Sequence, residues 1–236
     1  MRPLAPCLRG VEPGRPSPGV RRPGSLPPVG AADLDSYTTL AAPLRYEPEK
    51  IKGSRFIACV APARSEDEAK AFLESVRAAF DDAGHHCFAW RLGPDGSVTR
   101  SGDDGEPSGS AGRPILLQLE GHGVTDVVAV VVRYFGGTKL GVGGLMRAYG
   151  GAAGQALDRA ALAVVPIRQA LRCTHDYGDS GAIAGVLAAH GLEAEGAEYG
   201  SEVSFVIHVA LRAEDEVTRA LGDATAGRAR IERLLD

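Results

Sequence analysis

From Arg55 onward the apolar positions fall into short, regular blocks. Arg55–Pro62, rich in Phe, Ile and Val, predicts a strand. Ser65-Glu66-Asp67-Glu68 is a capping box, and Ala69, Phe72, Leu73, Val76 and Phe80 follow at helical spacing until Gly84. His86–Leu92 and Ser97–Arg100 flank Gly93-Pro94-Asp95-Gly96 and predict a hairpin. A Gly/Ser/Asp loop spans Ser101–Gly112, and Pro114–Glu120 predicts a short helix. Val127–Val132 is an unbroken apolar run, the pattern of a central strand buried on both faces.

Eight glycines then crowd the nineteen residues from Gly136 to Gly154. The second part of this segment is helical, because Ala148, Ala152, Ala153, Ala156, Leu157, Ala160 and Leu162 share one side. Gly150 and Gly154 each weaken a helix by up to ~1 kcal/mol relative to Ala, which predicts that this face lies close to the sheet. After Pro166 the order is strand Arg168–His175, helix Ser180–His190, strand Leu192–Tyr199, strand Glu202–Leu211, helix Glu214–Asp223 and strand Arg228–Leu234. That βαββαβ order predicts a ferredoxin-like unit, and the whole chain reads as α+β.

Residues 1–30 behave differently. They hold eight of the fifteen prolines and five glycines, too little apolar surface to offset the entropy of ordering. Five Arg against one Glu give them +4, so the remaining residues carry −8 of the −4 total. An acidic body argues against a general nucleic-acid coat and confines any anion site to a local patch. No stretch reaches ~18 apolar residues, so a membrane span is not expected. Cys7, Cys59, Cys87 and Cys173 are scattered without a C-x-x-C pair, which fits a reducing cytoplasm and neither a disulfide framework nor a zinc knuckle.

Two segments carry candidate chemistry. Arg133-Tyr134-Phe135-Gly136-Gly137-Thr138-Lys139-Leu140-Gly141-Val142-Gly143-Gly144-Leu145-Met146-Arg147 joins the buried strand to a helix. Three basic residues and no acidic one lie between Val127 and Leu157. Helix-start N–H groups carry about half a positive charge, and glycine lets an anion approach them. Arg133, Gly136, Gly137, Lys139, Gly141, Gly143, Gly144 and Arg147, joined by Arg113, are the candidate anion or nucleic-acid site; tight turns and close helix packing are the competing explanation. The segment matches neither a P-loop, because Val142 follows Gly141, nor the dinucleotide pattern, because Met146 stands where a third Gly is needed.

The second segment holds Asp103, Asp104, Glu106, Ser108 and Ser110, the candidate ligand or partner loop. Its carboxylates suit Mg²⁺ binding or base catalysis, and equally a polar loop that caps a turn and pairs with Arg113. Around Ser110 there is no nucleophile elbow, and the adjacent His85-His86 point to opposite strand faces. No catalytic residue, metal ligand or cofactor is assigned.

The runs SRFIACVAPARSEDEA, HHCFAW, SGDDGEPSGSAGRPIL and VVAVVVRYFGGTKLGVGGLMRAYG, in this order, closely resemble the YigZ/IMPACT family across roughly Arg55–Ala163. Arg168–Leu234 is similar to the small C-terminal domain of its bacterial members. Departures are His86 where Asn is usual, Ser110 for Thr, and Val142 where a small or hydroxyl residue is common. Composition sets aside 1–35 as a disordered extension, for which the family offers no counterpart, and the resemblance implies a YigZ/IMPACT N-terminal domain over 36–165 and a ferredoxin-like domain over 166–236. It further implies a ribosomal-protein or elongation factor G domain IV fold for the first domain and a domain V fold for the second. Eukaryotic members are similar to a translation regulator that competes for a kinase activator. The expected function is thus a non-enzymatic regulator of translation. It would bind RNA, ribosomes or translation factors, or another protein partner, in the cytoplasm and without DNA specificity. The alternative is an enzyme or binder acting on a small phosphorylated ligand or nucleotide through the Gly-rich loop.

Overall fold

The structure is a computed structural model that describes residues 35–234. The expected Pro/Gly/Arg-rich extension lies, apart from Asp35, outside the described residues. The chain divides after Val165 into two compact units, and the architecture is α+β.

The first unit contains β1 (Ser36–Leu40), β2 (Leu44–Tyr46), β3 (Arg55–Pro62), α1 (Glu66–Ala79), β4 (His85–Leu92), β5 (Val98–Gly102), α2 (Gly112–Gly121), β6 (Val127–Tyr134), α3 (Val142–Leu157) and β7 (Leu162–Pro166). Five strands form one sheet in the order β2-β3-β6-β4-β5, antiparallel at every ladder. The apolar run of β6 sits at its centre, with Val131 opposite Ala58 on β3 and Cys87 on β4. Alternation along β6 feeds two cores. Val127, Ala129 and Val131 pack with α2 and α3, while Val128, Val130 and Val132 pack with α1 and Trp90.

The capping box forms with a shifted partner. The Glu68 amide donates to Ser65 Oγ at 3.2 Å, but the Glu68 carboxylate accepts from the Arg64 amide at 2.8 Å. Gly150 and Gly154 face helix α2 rather than the sheet: a Cβ added at Gly154 would stand 2.6 Å from Gln118 Oε1, and one at Gly150 3.5 Å from Pro114 Cβ. Leu162 leaves the helical face expected for it and lies exposed on β7, which pairs with β1. Sequence periodicity marks neither of these strands, nor β2, because they are short and mostly half-exposed.

The second unit contains β8 (Arg168–His175), α4 (Ser180–His190), β9 (Glu195–Tyr199), β10 (Val203–Ala210), α5 (Glu214–Ala224) and β11 (Arg230–Arg233). Its sheet order β11-β8-β10-β9 is that of a split βαβ unit. Leu171, Cys173, Phe205 and Ile207 pack on one sheet face beneath Ile183 of α4 and Val217 and Leu221 of α5.

Candidate functional site

Strand β6 ends at Tyr134, and the chain then runs exposed from Phe135 to Lys139 before entering α3. Gly141 begins that helix at φ 72°, a left-handed value that favours glycine. No side chain caps the helix start, and its first turn has no acidic residue. Leu145 N–H donates to Gly141 O at 2.9 Å, so the amides of Val142, Gly143 and Gly144 are the first-turn donors that helix geometry leaves open. Lys139 and Arg147 are exposed and make no ion pair among the described residues. Gly136, Gly137, Lys139, Gly141, Gly143, Gly144 and Arg147 therefore share one loop-to-helix turn. Arg113 stands on α2, exposed, 3.4 Å from Glu120.

Arg133 is placed differently from the rest. It is 5% exposed, and its Nη1 donates to Glu106 Oε1 at 2.6 Å. Tyr149 OH donates to the same oxygen at 2.7 Å, and Arg133 Nη2 lies 3.5 Å from Ser54 Oγ. The guanidinium carbon sits over the Phe56 ring at 5.7 Å and the Phe135 ring at 5.4 Å. Arg133 continues the period-two alternation of β6 onto the α2/α3 face, and a charge buried there needs a partner. It acts as an internal brace, with Nη1 on Glu106 and Nη2 near Ser54.

The acidic loop is spent on the protein itself. Asp103 accepts from the amides of Gly109 at 2.8 Å, Ala111 at 2.9 Å and Gly112 at 2.8 Å, capping the start of α2. Burial raises the Asp103 pKa, but the three amide donors outweigh it and hold the carboxyl below its usual range. Asp104 accepts from the His86 amide at 2.7 Å and lies 3.2 Å from Arg77. Glu106 turns inward to Arg133 and Tyr149, and its side chain is 4% exposed. The three carboxylates thus face three ways. Among the described residues, no group of three His, Cys, Asp or Glu side chains is placed to hold a metal ion. Ser108 is exposed, whereas Ser110 is fully buried with no partner for its Oγ. Burial pushes the nearby Cys87 thiol up to about 12, so it stays protonated at neutral pH.

Asp103 makes acid stability a readout of the loop. A carboxyl whose folded pKa is lowered stabilises the fold fully above its unfolded value of about 4, and that stabilisation is lost as pH falls through the folded pKa. Asp103→Asn should therefore be less stable than the parent at pH 7, with a gap that narrows towards pH 3 in urea unfolding. A gap that stays constant across this range would exclude the carboxylate as its source.

Two further cations reach the site through tertiary structure alone. The tight turn Ile51–Ser54 lies across the Gly-rich segment: a Cβ built on Gly53 would meet Gly136 O at 2.8 Å, and Ser54 Oγ accepts from the Gly136 amide at 3.1 Å. Lys52 is exposed on this turn and Lys50 just before it, so the crossing brings their stretch of backbone to the segment from more than eighty residues away in the chain. The local signal for them was the Lys-Ile-Lys-Gly string alone, which has no spacing that points to Gly136. Three apolar residues of the same region are also open to solvent: Phe135 at 57%, Val142 at 53% and Met146 at 42%.

Comparison with known proteins agrees with both units. The model of the Impact N-terminal domain matches residues 52–157, and that of a domain of unknown function matches residues 173–228. The IMPACT family member YigZ of Escherichia coli is 53% identical over 126 residues, 52% of this chain and 61% of that protein. The IMPACT family member in the pol 5′ region of Thermus thermophilus is 44% identical over 77% of this chain and 99% of its own length. A crystal structure described as that of a hypothetical protein matches with a TM-score of 0.72 and 37% identity over 86% of this chain and 99% of that one. With both units matched in order, and a relative covered almost end to end, this chain belongs to the YigZ/IMPACT family.

Proposed function

We propose that this protein is a non-enzymatic regulator that binds RNA in the translation machinery, in the cytoplasm, through the loop-to-helix turn at Gly136–Arg147. One observation carries the reading. Lys139 and Arg147 are exposed without carboxylate partners on a chain of net charge −4, beside the uncapped and glycine-lined start of α3. An acidic protein that keeps one local cationic turn free of compensating carboxylates has the electrostatics of an anion-binding patch. Kinship of the two units with elongation factor G domains IV and V forms part of the same proposal. A ribosome is the partner such kinship favours. The engagement of Asp103, Asp104 and Glu106 by protein donors favours this reading over one in which the loop works on a nucleotide.

The full chain, titrated into fluorescent single-stranded RNA, should raise anisotropy at low salt and bind more weakly at higher salt, because phosphate contacts release counterions. Lys139→Glu with Arg147→Glu should lower affinity at least tenfold without lowering the unfolding midpoint. Both side chains are exposed, so a fold defect is not expected. Equal affinity of parent and double variant would remove the patch from the interface.

A further inference from the structure

Phe135 shares a cation with the core. Phe56 is fully buried and meets the Tyr149 ring edge-on, with centroids 5.2 Å apart. The Arg133 guanidinium carbon lies over the Phe56 ring at 5.7 Å and over the Phe135 ring at 5.4 Å. Glu106 and Ser54 hold that guanidinium in place, so the Phe135 ring has a fixed cation beside it. Even so, Phe135 remains 57% exposed. A phenyl ring left this open at a site braced from within costs apolar hydration and contributes little to the core.

Its surroundings are cationic. Phe135 and Lys52 each stand one residue from the crossing of Gly136 and Gly53, and Lys139 lies four residues beyond Phe135. An aromatic face beside phosphate-seeking cations is the arrangement that holds unpaired nucleotides, because every base has a π-face and every linkage a negative charge. A duplex offers the cations its phosphates but keeps its bases stacked inside, out of reach of the ring.

We infer that Phe135 stacks on an unpaired base, with Lys52 and Lys139 on the flanking phosphates, so that this turn selects single-stranded over double-stranded RNA. The inference rests on the RNA-binding reading above and adds the strandedness of the ligand and the residue that senses it.

The test uses the full chain, a short single-stranded RNA containing 2-aminopurine, and a duplex of equal length. The parent should bind the single strand more tightly than the duplex and quench 2-aminopurine on binding. Phe135→Leu keeps an apolar side chain but removes the π-face. It should lose roughly tenfold or more in single-strand affinity, and the quenching, while binding the duplex as the parent does. Phe135→Trp should retain both. Parent-like affinity and quenching in Phe135→Leu would overturn the stacking role, leaving the cationic patch standing if Lys139→Glu with Arg147→Glu still lowers affinity at least tenfold. No RNA binding by the parent at low salt would overturn the broader reading, and this inference with it.

Discussion

Glu106→Ala should lower folding stability by about 3–5 kcal/mol, the cost of removing one partner from a buried ion pair. The side chains of Arg133 and Glu106 are 6% and 4% exposed, so little solvent screening offsets the loss. The substitution takes the carboxylate acceptor from both the Arg133 guanidinium and Tyr149 OH, two buried donors. Arg133 could escape the penalty only by swinging into solvent, which would strip it from the rings of Phe56 and Phe135. Urea unfolding monitored by far-UV circular dichroism would measure the cost. The companion variant, Glu106→Leu with Arg133→Met, replaces the pair with apolar groups of similar size and should recover most of the loss. A single-variant cost below about 1 kcal/mol would mean that Arg133 relaxes outward and that the brace is weaker than its geometry.

The second large effect is expected at Gly136. A Cβ there would fall inside the contact distance of Gly53 C and O and of Ser54 N, all backbone atoms that cannot rotate away. The turn at Ile51–Ser54 and the exit of β6 would have to separate. That also breaks the 3.1 Å bond from the Gly136 amide to Ser54 Oγ. Overpacking of this kind costs about 3 kcal/mol. Gly137 provides the contrast. It has φ +88° but open space around its Cβ position, so Gly137→Ala meets backbone strain of about 1–2 kcal/mol and no collision. Denaturant midpoints for the two variants separate the effects, and equal losses would show that the crossing yields. If the proposed RNA site is correct, Gly136→Ala should also weaken RNA binding by moving the Lys52 turn off the Gly-rich segment, a loss that Gly137→Ala should not copy through that turn.

These two positions show where sequence reading succeeds and where it stops. The β6 run, the α1 capping box and the βαββαβ order of the second unit are local patterns, and local patterns are legible because each residue's period shows in its neighbours. Arg133 looked like one of three equivalent cations because charge along a window carries no depth. Its alternation with Val127, Ala129 and Val131 contained the inward orientation, yet the partner that makes burial tolerable sits 27 positions earlier. Lys50 and Lys52 join the site through two glycines touching at the end of the β3–β6 ladder, an encounter that no spacing along the chain records. Gly150 and Gly154 announced a close approach correctly, but the approaching surface, helix α2, could be known only from the packed fold. The acidic loop stayed open between two readings for a related reason: carboxylates that cap a helix and neutralise an arginine have the same composition as carboxylates that hold an ion.

The pairing of β1 with β7 bears on how this molecule carries load. These are the first and last strands of the first unit, and the Ala41 amide donates to Ala161 O at 2.8 Å beside them. A pull applied between the chain before Ser36 and the chain after Pro166 therefore meets this ribbon before it meets the five-stranded sheet. The ribbon is the hydrogen-bonded element that such a pull would load first, and the Gly136–Arg147 turn lies outside it.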